Sequence, residues 1–283
     1  MPSGSRFSLI AALIALLPTV TAHAGEQPVD RSQTEVRSAG GSHVAAIKER
    51  GKLVMLCFPS MESAFSRPNL EHGPTHRIGT AEDFEGIDVE LSAALARRLG
   101  VALEIRTLDT PGYGPLIPAL VEGKVDLVAS SLSITPERSA KVDFSVPYFS
   151  VYRAVVARKG SAIAAPSDLA GKKAAVIPGS SHHEILRRLD FDDANVYPVE
   201  FSAEYFTAVD DGEADFAVAD STTIDRNLKH FPRLEVAFRL PGEDHYGIAV
   251  PKGSDLLAEL DALIEEAKAS GELALIIGSE LER

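Results

Sequence analysis

The chain has 283 residues and a formal net charge of −13, with 28 Lys and Arg against 41 Asp and Glu. That balance repels nucleic acid and anionic membrane surfaces, and no basic cluster offsets it. The single cysteine, Cys57, excludes an internal disulfide, so the fold must be held by apolar packing, for which this length is sufficient.

The N-terminal stretch MPSGSRFSLIAALIALLPTVTAHAGEQ carries one basic residue, Arg6, then a mostly apolar run from Phe7 to Val20 and small residues at Ala22 and Ala24. A secretory signal over residues 1–24 is predicted rather than a membrane span, because the run is short and lacks a stop-transfer flank. This implies an exported protein, soluble in the periplasm after cleavage. Residues 25–43, polar and rich in Gly and Ser, read as a flexible leader. Order is predicted from Val44, with the helix VAAIKER ended by Gly51 and LVMLCF as a buried strand. Cys57 lies in that strand, too far from the cleavage point to carry a lipid. The following segment, to Gly86, has little periodicity, which over such a length points to a functional role or a surface excursion.

From Ile87 the pattern alternates. IDVELSAALARRLG reads as an amphipathic helix closed by Gly100, VALEIRTL as a strand, YGPLIPALVEG as a helix, VDLVAS as a short strand and TPERSAKV as a helical turn. A strand over Tyr152–Ala157 follows. AAVIPG then turns into the helix SHHEILRRL, and the alternation repeats through NVYPVEF, YFTAVDDG, ADFAVAD and STTIDRNL. Two amphipathic helices, DLLAELDALIEEAKASG and ELALIIGSELE, close the chain. This grammar is α/β: two lobes, each with a mostly parallel sheet covered by helices. Residues 44–150 with 247–283 are assigned to lobe 1 and 151–246 to lobe 2. Two crossings, near 149–154 and 241–248, would leave a ligand cleft between the lobes.

The stretch SSLSITPER, residues 130–138, poses the functional question. Thr135 is a good N-cap and Pro136 suits a first helical turn, so the segment fits a plain helix start. It equally forms a seat for an anion, since hydroxyls gather at a strand end and Arg138 can meet a carboxylate with two parallel charged hydrogen bonds. SSHHEILRRL begins a second helix whose N-terminus favours an anion. Asp220 reads alone as the N-cap of the helix after it. The pair His182–His183 does not make a metal site, because adjacent helical residues point apart and no further ligand has suitable spacing. His72 and His76 read as solvent-facing loop residues. No cofactor or metal is implied.

Several segments together resemble the extracellular solute-binding proteins of polar amino-acid ABC transporters, family 3, with the type II periplasmic binding protein fold. They are GKLVMLC, FEGIDVELSAALARRLG, PLIPALVEGKVDLVASSLSITPERSAKVDFSVPY, DLAGKKAAVIPGSS, GEADFAVADS and YGIAVPKG, in the family's order. The resemblance implies that Arg138 clamps a ligand α-carboxylate, with Ser131 and Ser133 in that seat and Gly179, Ser180 and Ser181 meeting it from the second lobe. It implies that Asp220 receives the α-ammonium and that Tyr113 packs against the ligand side chain, with Phe65 a second contributor or a core residue. The implied partners are a small-molecule α-amino acid or derivative and a membrane permease, and the protein is expected to be a monomer.

The sequence departs from that pattern after the first strand. Pro59 stands at the family's aspartate position, Glu62 at its aromatic position and Ala64 at its proline. The segment 66–84, with His72, His76 and Arg77, is longer than in the family. Glu62 and His182 are therefore candidates for side-chain specificity, Glu62 reading equally well as a solvated loop residue. Two other functions use the same cleft. A cyclohexadienyl dehydratase-like enzyme would need Glu62 or Glu184 as a general acid, but PGSSHHE stands where those enzymes carry Pro-Gly-Gly-Thr-Asn-Glu. A ligand-sensing receptor component would need only another partner for the closed form.

Overall fold

The computed structural model describes residues 41–71, 78–108 and 112–282. The predicted signal, residues 25–40 of the leader, and His72, His76 and Arg77 lie outside these residues.

Helix α1 (His43–Arg50) starts where Ser42 Oγ accepts from the Ala45 N–H and stops at Gly51 in a left-handed conformation. Strand β1 (Lys52–Cys57) is buried beyond its first residue. The aperiodic segment holds three two-residue strands, β2 (Arg67–Pro68), β3 (Ile78–Gly79) and β4 (Phe84–Glu85). Helix α2 (Ile87–Leu99), strand β5 (Ala102–Thr107), helix α3 (Leu116–Val121), strand β6 (Leu127–Val128), helix α4 (Pro136–Ser139) and strand β7 (Val142–Phe144) complete the first run.

Strand β8 (Phe149–Arg158) leads into the second run: β9 (Ala174–Val176), α5 (Ser181–Arg188), β10 (Val196–Pro198), α6 (Glu204–Asp210), β11 (Phe216–Asp220) and α7 (Ser221–Asn227). Strand β12 (Leu234–Tyr246) then leads to β13 (Ala249–Pro251), α8 (Leu256–Ser270) and α9 (Glu272–Glu282).

The first sheet has the order β3-β5-β1-β6-β13-β7 and the second β10-β9-β11-β8-β12. Both are mixed. Strands β5, β1 and β6 run parallel in the first, and β10, β9 and β11 in the second, because a helix crosses over between each pair. The remaining pairings are antiparallel. Strands β8 and β12 pair with each other from Phe149↔Tyr246 to Arg158↔Leu234, so they form one hydrogen-bonded ribbon. The register slips between Arg239↔Ala154 and Glu243↔Tyr152, which leaves Leu240–Gly242 as a bulge.

Each sheet is packed on both faces. Leu53 and Met55 of β1 meet Leu91 and Leu95 of α2 and Leu260 and Ile264 of α8 on one side. Val54 and Leu56 meet Leu116 and Leu120 of α3 on the other. In the second lobe, Ala217 and Ala219 face Tyr205 and Phe206 of α6, while Phe216 and Val218 face Leu186 of α5. These alternating faces follow from the two-residue period of a strand. One buried charge ties α1 to this framework. Asp126 accepts from the Val54 N–H at 2.7 Å, from Arg50 and from His43 Nε2 at 2.9 Å, which satisfies a carboxylate that has lost its water. Among the described residues no helix is long and apolar enough to cross a membrane.

Candidate ligand-binding cleft

Between the sheets lies a cleft of about 400 Å³. Its first wall is built where β6 ends and the chain turns through Ser130–Ser133 into α4. Thr135 caps that short helix, accepting from the Arg138 N–H at 3.3 Å, and Pro136 fills its first turn. Arg138 is thereby fixed and only 6% exposed. Its Nη1 donates to Ser133 O at 3.1 Å, its Nη2 to Gly179 O of the other lobe at 3.3 Å, and its Nε lies 3.5 Å from Glu184. Burial lowers its pKa, opposed by Glu184, Asp244 and their neighbours, and a guanidinium stays charged regardless.

Two carboxylates hold the serines of this wall. Ser131 has φ 43, and its N–H donates to Asp88 Oδ2 at 2.7 Å. Asp88 is fully buried on α2 and also accepts from the Tyr148 hydroxyl. Burial pushes Asp88 up to about 7, with both hydrogen bonds pulling it back. Ser133 Oγ lies 2.7 Å from Asp244 Oδ2 and 2.9 Å from Ser181 Oγ. A hydroxyl has one proton, so Ser133 gives it to the carboxylate and takes one from Ser181 across the cleft. Beneath them the Cys57 thiol is pushed up to about 12 by burial and by Asp88, which leaves it inert.

The second wall begins at Gly179. Its φ is +75, and a Cβ there would sit 2.8–2.9 Å from the Gly114 backbone of the other lobe. Only glycine meets both conditions. Ser180 then caps α5, accepting from the His183 N–H at 3.2 Å, and points the helix N-terminus at the cleft. His182 Nε2 lies 3.0 Å from Asp220 Oδ1, and the Tyr246 hydroxyl donates to Asp220 Oδ2 at 2.5 Å. Asp220 holds the N-cap position of α7 yet makes no side-chain cap bond, because both oxygens turn into the cleft. Burial alone would raise its pKa. The charge and hydrogen bond of His182, with Tyr246 and Arg153, outweigh it and hold Asp220 below the ordinary carboxylate value.

Aromatic rings line the floor. Phe58 meets Tyr113 edge-on at 5.5 Å and stacks on Phe201 of the other lobe at 5.5 Å. Phe65 packs at 5.2 Å against both Phe149 and Tyr246, and a Cβ on Gly86 would fall 2.3 Å from its carbonyl oxygen. At the mouth Glu62 is exposed; its carbonyl accepts from Arg226 Nη1 at 2.6 Å, and Arg226 Nη2 reaches Glu280 O at 3.5 Å. On another flank Arg188 pairs with Glu137. The lobes meet at Arg138–Gly179, Arg138–Glu184, Gly114–Gly179, Ser133–Ser181, Phe58–Phe201, Arg226–Glu62 and Arg188–Glu137, among other places.

Ten of the residues singled out in the sequence line this cleft, Glu62, Phe65, Tyr113, Ser131, Ser133, Arg138, Ser180, Ser181, His182 and Asp220, whereas Gly179 and Glu184 are not among its lining residues. They do not play equal parts. Glu62 sits at the open rim and Phe65 is mostly core, 5% exposed. His182 is spent on Asp220, and His183 turns away to Asp193 at 3.0 Å. Phe58, Asp88, Phe201, Asp244 and Tyr246 were not read as site residues. Asp88 had a local signal, an acid at the start of an otherwise apolar helix face. The polar run GEDHYG at the end of β12 held Asp244 and Tyr246 but reads as a hinge.

Two α/β lobes joined by a strand ribbon around a polar cleft define a two-lobed small-molecule binding protein. The chain belongs to the bacterial extracellular solute-binding proteins, family 3, which it matches over residues 71–279. It is 35% identical over 197 residues to the membrane-bound lytic murein transglycosylase F of Ectopseudomonas mendocina, covering 66% of this chain but 40% of that protein. It is 30% identical over 210 residues to a probable histidine-binding protein of Neisseria gonorrhoeae, covering 72% of this chain and 77% of that one. The chain superposes on the amino acid ABC transporter substrate-binding protein AbpA of Streptococcus pneumoniae, bound to L-arginine, with a TM-score of 0.72. The sequences are 27% identical, and the match covers 84% of this chain and 98% of that one.

Proposed function

We propose that the protein is the substrate-binding component of an amino-acid ABC transporter, exported to the periplasm, that captures a polar α-amino acid or a derivative and closes over it for delivery to a permease. The observation that carries this reading is the convergence of Arg138 from one lobe and Asp220 from the other on a single cleft. A zwitterion bears opposite charges on one carbon, so one fixed cation and one fixed anion read both ends of it. Arg138 takes the α-carboxylate together with Ser131, Ser133, Ser181 and the α5 N-terminus, and Asp220 takes the α-ammonium.

The cleft holds the liquid-volume share of about 13 waters at ~30 Å³ each, which gives room for a long side chain beyond the seat. That side chain lies against Tyr113 and Phe58 and extends toward Glu62. The arginine-bound and histidine-binding relatives support a nitrogen-bearing side chain. The reading is tested by thermal shift and calorimetry against the L-amino acids, with native mass spectrometry for a co-purified ligand. Stabilisation by one chemical group of amino acids is the expected outcome; no response to any of them, and no retained amino acid, removes the proposal. The likeness to part of a murein transglycosylase favours a second reading, in which the same cleft reports its ligand to a partner other than a permease. Co-purification of a permease or of another envelope protein separates the two.

A further inference from the structure

The carboxylate assigned to the ligand's ammonium already has an internal partner. His182 is 8% exposed, and its Nε2 lies 3.0 Å from Asp220 Oδ1. To bond a carboxylate, Nε2 must carry a proton, which leaves Nδ1 to be either an acceptor or, in the charged ring, a second donor. The groups around the ring are few. Tyr205 of α6 has its hydroxyl 3.4 Å from Nδ1 and its ring edge-on at 6.0 Å. Tyr246 and Asp244 come from β12, and Arg153 of β8 lies 3.7 Å from Asp244. On its own helix, His183 is occupied by Asp193 and Glu184 faces Arg138. Tyr113 and Arg138 close the circle from the first lobe. Around His182 there are therefore three carboxylates, Asp220, Asp244 and Glu184, against two guanidiniums, Arg153 and Arg138. One negative charge is left over.

We propose that His182 and the ligand's α-ammonium compete for Asp220, so that the site takes α-amino acids with His182 neutral and turns toward carboxylates lacking the ammonium when His182 is charged. The inference rests on the amino-acid reading above. A ligand nitrogen in contact with Asp220 stands ~5 Å from Nε2, where two unit charges at an effective dielectric of ~20 repel by an amount equal to roughly 300-fold in affinity. Capture of an ammonium at Asp220 is then opposed whenever both ring nitrogens of His182 carry protons. A carboxylate without that ammonium meets no such repulsion and still finds Arg138. His182 thus sets specificity through Asp220 rather than through the ligand side chain.

The test uses L-arginine and L-glutamine with their deamino counterparts, 5-guanidinopentanoate and glutaramate. Affinities are measured by calorimetry at about pH 5, 6.5 and 8, across the range where an imidazole changes charge. Protons released are read from the heat in two buffers of different ionisation enthalpy. The amino acids should bind at least tenfold more weakly at about pH 5 than at about pH 8, releasing up to one proton, while the deamino compounds change less than about twofold. His182→Gln and His182→Asn, which keep a hydrogen-bonding group without the titration, should flatten the amino-acid profile. Equal pH profiles for amino acid and deamino compound, or an unchanged profile in a folded His182→Gln protein, would overturn the competition and leave the amino-acid reading standing. If neither binds at any pH, the same comparison is made with whichever L-amino acid the thermal-shift panel identifies and its deamino counterpart; if no L-amino acid binds, that reading falls and this inference with it.

Discussion

Replacing Gly179 by alanine tests the contact on which the proposed closure of the two lobes would depend. The substitution has two separable costs. The left-handed backbone, at φ +75, penalises any Cβ by about 1–2 kcal/mol, and that cost is paid in every arrangement of the lobes. The second cost exists only when the lobes meet. The new methyl would stand 2.8 Å from Gly114 N and 2.9 Å from Gly114 Cα, backbone atoms that cannot swing aside as a side chain tip can. Relief requires the walls to separate by about half an ångström or more, an overpacking cost of about 1–3 kcal/mol. Because Gly179 O also receives Arg138 Nη2 at 3.3 Å, separation lengthens that bond too. Ligand affinity should fall by roughly 5- to 150-fold.

Gly171→Ala supplies the control, since its φ is +70 with nothing within 4 Å of the added Cβ in the same lobe. Calorimetry gives affinity, and small-angle scattering with and without ligand gives closure. Gly171→Ala should lower the melting temperature as Gly179→Ala does but leave affinity alone. Equal affinity and equal compaction in both variants would show that the Gly179–Gly114 approach has no part in binding.

Arg138→Ala removes two charge-assisted bonds worth about 1.5–3 kcal/mol each, so affinity for any α-carboxylate should fall by at least about 100-fold in a protein that still melts cooperatively; retained affinity refutes the carboxylate seat. Glu62→Gln, at an exposed rim, should weaken ligands with a cationic side chain by no more than about fivefold, and added salt should erase the difference. A larger, salt-insensitive loss would place Glu62 against the ligand. Asp88 has a raised folded-state pKa, about 7 against an ordinary 3.8, so folding takes up a proton. Its contribution favours the folded state below about pH 4 and is lost as pH rises through about 7, a change on the order of 4 kcal/mol. Urea midpoints of wild type and Asp88→Asn should therefore diverge with pH across that window, the variant gaining relative to wild type as pH rises, and parallel curves would contradict the burial argument.

The parts of the fold carried by local pattern were legible. Strand ends, caps and closing glycines announced β6 into α4 at Thr135–Pro136 and β9 into α5 at Ser180, and both lead straight into the cleft. What could not be read was which side chains distant in the chain meet in the cleft. His182 and Asp220 of the second lobe are 38 residues apart, and nothing near either one signals that they share a bond. The hydroxyls looked like donors waiting for a ligand, yet Ser133 and the Ser131 N–H are each held by a buried acid from a distant element. Sheet direction was only half visible for a similar reason. Helical crossovers give parallel neighbours, but β8 and β13 reach their partners by crossing between the lobes and β12 pairs back along β8, which no local periodicity records.

The bulge at Leu240–Gly242 has a mechanical consequence. On one side of it β8 and β12 are paired without a break from Tyr152↔Glu243 to Phe149↔Tyr246, and on the other the pairing resumes to Arg158↔Leu234 with a smaller slip between Val236 and Phe238. The loose rungs, with Gly242 at φ +81, are the place where the paired strands can pivot without losing bonds. A pivot at that height would give the jaws one swing axis, and every degree of rotation there would be magnified at the far rim, where Arg226 reaches for Glu62.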